Sequence, residues 1–297
     1  MENFGEVFAL VCALMWASAV ILYKHVGESM SANALNLVKN ILALCLLVPT
    51  ALVFEGLNLP NLSHVEWGVL IASGYFGIAV SDTWYLQALR NLGAGRTAIV
   101  ASLYSPFVVI LSILFLQESL ALWQWLGFAM VLVGILVVVY QPNYQSVDSA
   151  NLLKGIALAA GSVFLTASGV VAMKPILIND GFFWMVGLRM LAGIVGMLIF
   201  LAIRRGMVST YDVIIKGKHS WKYIILASVI GSYLALLFWL AGFKYADASV
   251  ASVLNETSNI FIVLMAWLFL KEEMTKQKVL GASLTFLGVA VFLGLLS

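Results

Sequence analysis

Four charged residues sit well inside long apolar runs: Lys39, Asp82, Arg189 and Glu256. A charge in hydrocarbon is expensive, so each marks a candidate functional position. Two opposite-charge couples are expected, Lys39 with Asp82 toward one end of the chain's membrane path and Arg189 with Glu256 toward the other. Arg189 and Glu256 lie about 7 and 9 residues inside their runs, roughly 10–14 Å deep at 1.5 Å per helical residue. Such couples could close the ends of a pathway, or bind the carboxylate and amine of a zwitterion. The plainer reading is ion pairs that hold helix register. Glu256 has Ser252, Asn255, Thr257, Ser258 and Asn259 around it, with Ser252, Asn255, Glu256 and Asn259 on one helical face. Ionising a carboxyl near mid-membrane is costly, which makes Glu256 a candidate for loading and releasing a proton. Asp82 and Glu256 are therefore the coupling or gating candidates.

Around these charges the chain offers aromatic and amide groups suited to a small organic ligand. The candidates for binding are Trp16, Lys39, Tyr85, Tyr104, Arg189, Trp239, Asn255 and Asn259. Tyr104 precedes Pro106, which removes a backbone donor near mid-span. Trp123, Trp125, Trp184 and Trp221 lie near run ends and read as interfacial anchors. His25, His64 and His219 are far apart in loops. Neither an HExxH or CxxC pair nor a Walker loop or dinucleotide fingerprint is present, so the sequence predicts no metal and no cofactor.

The elements that must position these groups follow from composition. Of 297 residues, 63% are apolar and 10% charged, against about 25% charged in soluble domains. The formal charge of +2 carries no basic stripe, so nucleic acid is not expected as a partner. Ten apolar runs are long enough to cross about 30 Å of hydrocarbon: 5–25, 33–54, 66–87, 95–116, 121–140, 152–173, 182–203, 221–242, 247–270 and 276–296. The expected fold class is all-α integral membrane. The acidic opening Met1-Glu2-Asn3-Phe4-Gly5-Glu6 lacks a basic leader, so the first run reads as a retained helix. Twelve Lys and Arg fall in the odd-numbered loops and only Lys174 and Lys244 on the other side, which places both termini in the periplasm.

The chain also repeats itself. Leu114-Phe115-Leu116-Gln117-Glu118 returns 154 positions later as Leu268-Phe269-Leu270-Lys271-Glu272, with Gly127 on Gly281, Gly134 on Gly288, Arg90 on Lys244 and Ala94 on Ala248. An offset of 150 aligns Ala17-Ser18 with Ala167-Ser168, Lys24 with Lys174 and Lys39 with Arg189. The expected domains are residues 1–145 and 150–297, each of five helices. An odd count inverts the second half in the membrane, a device of secondary transporters with a site near the midplane. The paired glycines predict close packing of the fifth and tenth helices.

These features resemble the drug/metabolite transporter superfamily, EamA-like branch. The matching residues are Ala88-Leu89-Arg90, Ala94, Ser105-Pro106, Phe115-Leu116-Gln117-Glu118, Gly127 and Gly134. They are echoed by Gly242-Phe243-Lys244, Ala248, Phe269-Leu270-Lys271-Glu272, Gly281 and Gly288. Pro106 is replaced in the second half by Ile260. The resemblance implies export of an amino acid or other small metabolite by alternating access, with proton coupling open, from a bacterial inner membrane. Alternatives are a multidrug exporter or an exchanger of phosphorylated or nucleotide-linked sugars, which would need more cavity cations. An enzyme is not expected. The partners implied are a small-molecule substrate, protons and the lipid bilayer, and a monomer could form a complete pathway.

Overall fold

A computed structural model describes residues 4–26, 30–92, 97, 100–139, 149–178, 181–204, 206–217, 219–270 and 274–295. They form helical rods joined by short turns, and among them there is no strand. The first half contains α1 (Phe4–Val26), α2 (Ala32–Glu55), α3 (His64–Gly74, continued by Tyr75–Val80 and Ser81–Leu92), α4 (Tyr104–Leu116) and α5 (Leu122–Val139). The second contains α6 (Ser149–Leu177), α7 (Phe182–Ile203), α8 (Trp221–Ala227, Ser228–Leu234 and Ala235–Tyr245), α9 (Ala248–Asn255 and Thr257–Leu270) and α10 (Lys276–Phe292). Among the described residues six stretches are long and apolar enough to cross a membrane, and α4 and α5 are shorter apolar helices. The surface has the same character. Val53, Phe115, Leu122 and Ile203 are among many large apolar side chains left largely exposed, as a lipid-facing exterior requires.

Several rod ends have a local cause. Ser31 and Thr275 accept backbone N–H groups at the starts of α2 and α10, and Ser63 with Glu66 forms a reciprocal capping box at α3. Gly56 closes α2 with φ 63°, which suits a residue without Cβ.

The two halves pack as counterparts. α1 lies along α8 and the second part of α9, while α6 lies along α3 and α4. The most extensive pairing joins α5 to α10, where the four glycines meet. A Cβ on Gly127 would fall 2.5 Å from the Phe292 nitrogen, and one on Gly281 would fall 2.6 Å from the Gly134 carbonyl oxygen. The expected close packing of these helices is present, and any side chain there would force them apart.

Two features were not expected from the apolar pattern. In α3 and α8 the backbone widens to π-helical turns, Tyr75–Val80 and Ser228–Leu234, whose last residues are 154 positions apart. Each holds a glycine, Gly77 or Gly231, where a helix of the other half presses in. Between the apolar runs 182–203 and 221–242 the chain forms a further helix at Met207–Lys216. Lys271-Glu272 of the repeat, Ala94, and the side chains of Lys24 and Arg90 lie outside the described residues.

Candidate functional site

Helix α9 does not run straight through. It breaks at Glu256, and the preceding half of the chain breaks at the equivalent place: Ser102 and Leu103 form a turn before α4 begins. Only the first-half break has a proline nearby, Pro106. At the second, Thr257 Oγ1 donates to the Leu254 carbonyl at 2.7 Å and the Asn259 N–H to that of Glu256 at 3.1 Å. Short polar side chains thus do at Thr257 what a missing N–H does at Pro106.

A broken helix exposes amide hydrogens at its restart, and these favour an anion. Glu256 takes that position. Its Oε1 accepts the Ser105 backbone N–H at 3.3 Å and its Oε2 accepts Asn259 Nδ2 at 2.9 Å, with the residue 5% exposed. The contact joins the two breaks across the halves. The Ser105 hydroxyl and both polar atoms of the Asn255 amide are buried without a hydrogen-bond partner among the described residues. Each such group costs about 1–3 kcal/mol if nothing satisfies it, so the site holds capacity for a polar ligand.

Arg189 stands on α7 and is 2% exposed. Its Nε donates to Ser73 Oγ at 2.9 Å, and that hydroxyl donates to the Gly169 carbonyl at 2.9 Å. The guanidinium carbon lies 5.4 Å from the centre of the Trp239 ring, and Trp239 Nε1 donates to the Tyr104 hydroxyl at 3.2 Å. A side chain on Gly77 would fall 2.8 Å from Arg189 Nη2, so the π-helical turn of α3 makes the room that the guanidinium uses. Among the described residues no carboxylate lies within 4 Å of it.

The expected Arg189–Glu256 couple is therefore absent. The break turns the Glu256 carboxylate toward the restart of α4, while Ser73 of α3 and Trp239 of α8 hold Arg189. Tyr104 lies within electrostatic reach of both charges, and Arg189 within reach of Asp82. The single helical face of Ser252, Asn255, Glu256 and Asn259 is likewise interrupted by the break, although Asn259 still reaches Glu256.

The Lys39–Asp82 couple is formed, Nζ to Oδ2 at 2.7 Å, with side chains 13% and 34% exposed. Lys39 also donates to Asn40 Oδ1 at 3.2 Å. Asn40 donates to Asn36 Oδ1 at 2.9 Å, and Asn36 to the Ile78 carbonyl at 3.2 Å. This chain of bonds ends on the π-helical turn of α3, where the widened backbone presents that carbonyl. Tyr85 is one turn from Asp82 and within its electrostatic reach. Trp16 is exposed, and among the described residues no hydrogen bond or ring contact joins it to the cluster. Of the expected anchors, Trp123, Trp125 and Trp221 are exposed, whereas Trp184 Nε1 donates to the Gly56 carbonyl at 3.0 Å.

Two carboxylates that drew no attention as cross-links in the sequence tie the halves together at one end. Glu118 accepts the Ala248 N–H at 2.7 Å, the Ser249 N–H at 3.0 Å and the Ser249 hydroxyl at 2.7 Å, and Lys174 lies 3.7 Å away. It thereby caps α9. Gln117, with φ 57°, supplies the left-handed residue that turns the chain there. Burial works against ionisation of Glu118, but the Ser249 and Ala248 donors and Lys174 outweigh it and hold the carboxyl below its ordinary range. Glu55 caps α7 in the same manner, accepting the N–H groups of Phe183 and Trp184, each at 3.0 Å. The sequence signals no more than an acid at the end of an apolar run, because the helix starts they cap lie about 130 positions away.

A two-part helical membrane bundle with broken helices and buried charges between its halves defines a transporter of the repeat type. The chain belongs to the EamA-like transporter family, whose sequence model matches residues 3–140 and again 153–294. A transporter of Bacillus subtilis, YdfC, described as uncharacterized, is 22% identical over 93% of this chain and 86% of its own. An uncharacterized transporter of Clostridium kluyveri is 30% identical over 52% of this chain, which spans 48% of that relative's length. One crystal structure, 15% identical, superposes with a TM-score of 0.77 over 99% of both chains, which shows the shared fold. The protein is thus a multi-pass membrane transporter.

Proposed function

We propose that the protein is a secondary carrier that exports a small zwitterionic metabolite, an amino acid or a close relative, by alternating access between its two halves. The carrying observation is Arg189: a buried guanidinium without a carboxylate partner among the described residues, in the same cluster as Glu256, Tyr104 and Trp239. An unpaired buried cation is costly, and a substrate carboxylate would relieve that cost through paired N–H donors. The substrate amine would then meet Glu256, with the unpartnered Asn255 amide beside it. Glu256 is the proposed proton carrier, since a carboxyl bound by one N–H and one amide can exchange its proton for an ammonium ligand.

Lys39 is engaged by Asp82, which leaves Arg189 as the cation for an anionic group and lends little support to phosphorylated sugars. The Lys39–Asp82 pair is proposed to close the cytoplasmic end, and the Glu118 and Glu55 cross-links the periplasmic end. Residues 1–145 and 150–297 are the proposed moving units of a monomer in a bacterial inner membrane, with both termini periplasmic.

Counterflow in proteoliposomes tests this reading, with labelled amino acids screened against wild type, Arg189→Gln and Glu256→Gln. Arg189→Gln is expected to lose at least tenfold in apparent affinity, about 1.4 kcal/mol. Glu256→Gln is expected to lose net, pH-driven transport. Wild-type exchange and pH dependence in both variants would defeat the proposal.

A further inference from the structure

The helix Met207–Lys216, between α7 and α8, is apolar on two sides. Its inner side packs Val213 and Ile214 against an apolar cluster that includes Leu35 and Val38 of α2 and Ile224 of α8, and the helix contacts α2 and α7. Its outer side leaves Val208 72%, Tyr211 62% and Ile215 61% exposed, at the i, i+3, i+7 spacing of one helical face. The stretch of sequence that contains that face is basic. From Arg204 to Lys222 the chain carries Arg204, Arg205, Lys216, Lys218 and Lys222 against the single acid Asp212, which is itself engaged by Lys216 at 2.8 Å. Exposed Trp221 and Tyr223 at the start of α8 mark the level of a membrane–water boundary immediately beside the helix.

We propose that Met207–Lys216 lies in the headgroup layer of the membrane and binds anionic phospholipid. Val208, Tyr211 and Ile215 enter the acyl boundary while the flanking lysines and arginines meet lipid phosphates. The occupant follows from the charge: a neutral leaflet would satisfy the apolar face but leave the basic flanks without counter-charge. The cytoplasmic leaflet, to which the Lys and Arg distribution assigns this loop, is the side richer in accessible anionic attraction for such segments. The contact has reach into the bundle, because the inner face packs on α2, the helix that carries Lys39, and joins the apolar cluster of Val38 and Ile224. Anionic lipid thereby holds the junction between α7 and α8 at a fixed depth while the halves move.

The test uses the full chain with Cys45→Ser and Val208→Cys, labelled with a fluorescent probe at position 208. Vesicles are phosphatidylcholine alone or phosphatidylcholine with phosphatidylglycerol. Quenchers are a headgroup nitroxide lipid and aqueous iodide. With phosphatidylglycerol, the nitroxide is expected to quench and iodide to be excluded. In phosphatidylcholine alone, and further at high salt, iodide access is expected to rise. Lys216→Gln and Lys222→Gln should each weaken the lipid-dependent protection about fivefold, the equivalent of ~1 kcal/mol per basic side chain. Equal iodide access in the two lipids would overturn the proposal, as would protection indifferent to both lysines. Protection that appears in lipid-free detergent and grows with protein concentration would assign the face to a second copy and also overturn it. These readouts need no transport, so their failure is separate from failure of the carrier reading.

Discussion

Replacing Glu118 with Ala removes one carboxylate and orphans several groups at once. The Ala248 and Ser249 N–H groups lose their acceptor, the Ser249 hydroxyl loses another, and Lys174 loses its counter-charge. Loss of a helix cap alone costs about 0.5–2 kcal/mol. Hydrogen bonds to a charged group contribute about 1.5–3 kcal/mol each where they are partly buried. Solvent re-entry at this end of the bundle recovers part of that sum, and we expect a net loss of about 3 kcal/mol. At roughly 2–4 °C per kcal/mol for chains of about this size, thermal unfolding in detergent should begin about 6–12 °C lower. Glu118→Gln keeps the shape and one acceptor, so its loss should be intermediate. The sign with pH follows from the depressed carboxyl. Its stabilisation is fully present above the unfolded value of about 4.3 and is lost as pH falls through the lower folded value. The gap between wild type and Glu118→Gln should therefore be constant from neutral pH down to about 5 and close only below about 4. Unfolding of Glu118→Ala at the wild-type temperature, or a gap that closes near neutrality, would refute the cross-link as described.

Further outcomes follow from the packing and the buried pair. Gly281→Val should fail to assemble or unfold far more easily, because its Cβ would lie 2.6 Å from the Gly134 carbonyl across the α5–α10 contact; overpacking usually costs about 1–3 kcal/mol, and detergent melting reads it. The losses of Lys39→Gln and Asp82→Asn should sum to more than the loss of the double variant, with a coupling of about 0.5–3 kcal/mol in a double-mutant thermal cycle; strict additivity would mean that the 2.7 Å pair contributes nothing. Trp239→Phe should leave folding intact but lower substrate affinity, since it removes the donor to Tyr104 and alters the ring under Arg189; unchanged counterflow would separate that ring from the site.

The membrane class, the helical rods and the role of the paired glycines were legible in the sequence because they depend on local quantities. Hydrocarbon thickness selects run length, and the absence of water forces each run to satisfy its own backbone. A small residue recurring on one helical face is visible without knowing its partner. The four intramembrane charges were equally visible, since their cost is set by the surrounding run and not by the fold. What the chain alone left open was which charge meets which. Lys39 and Asp82 meet, whereas Arg189 and Glu256 do not, because helix breaks and widened turns rotate side chains by amounts that apolar periodicity does not encode. The break at Glu256 lacks the proline that announces its counterpart near Pro106, and the π-helical turn at Gly77 becomes sensible only once Arg189 is seen pressed against it. In the sequence Glu118 is visible only as part of the repeat, and Glu55 as an acid at a run end. Their function as caps for α7 and α9 exists only when distant helix starts, with their unpaired N–H groups, are folded against them.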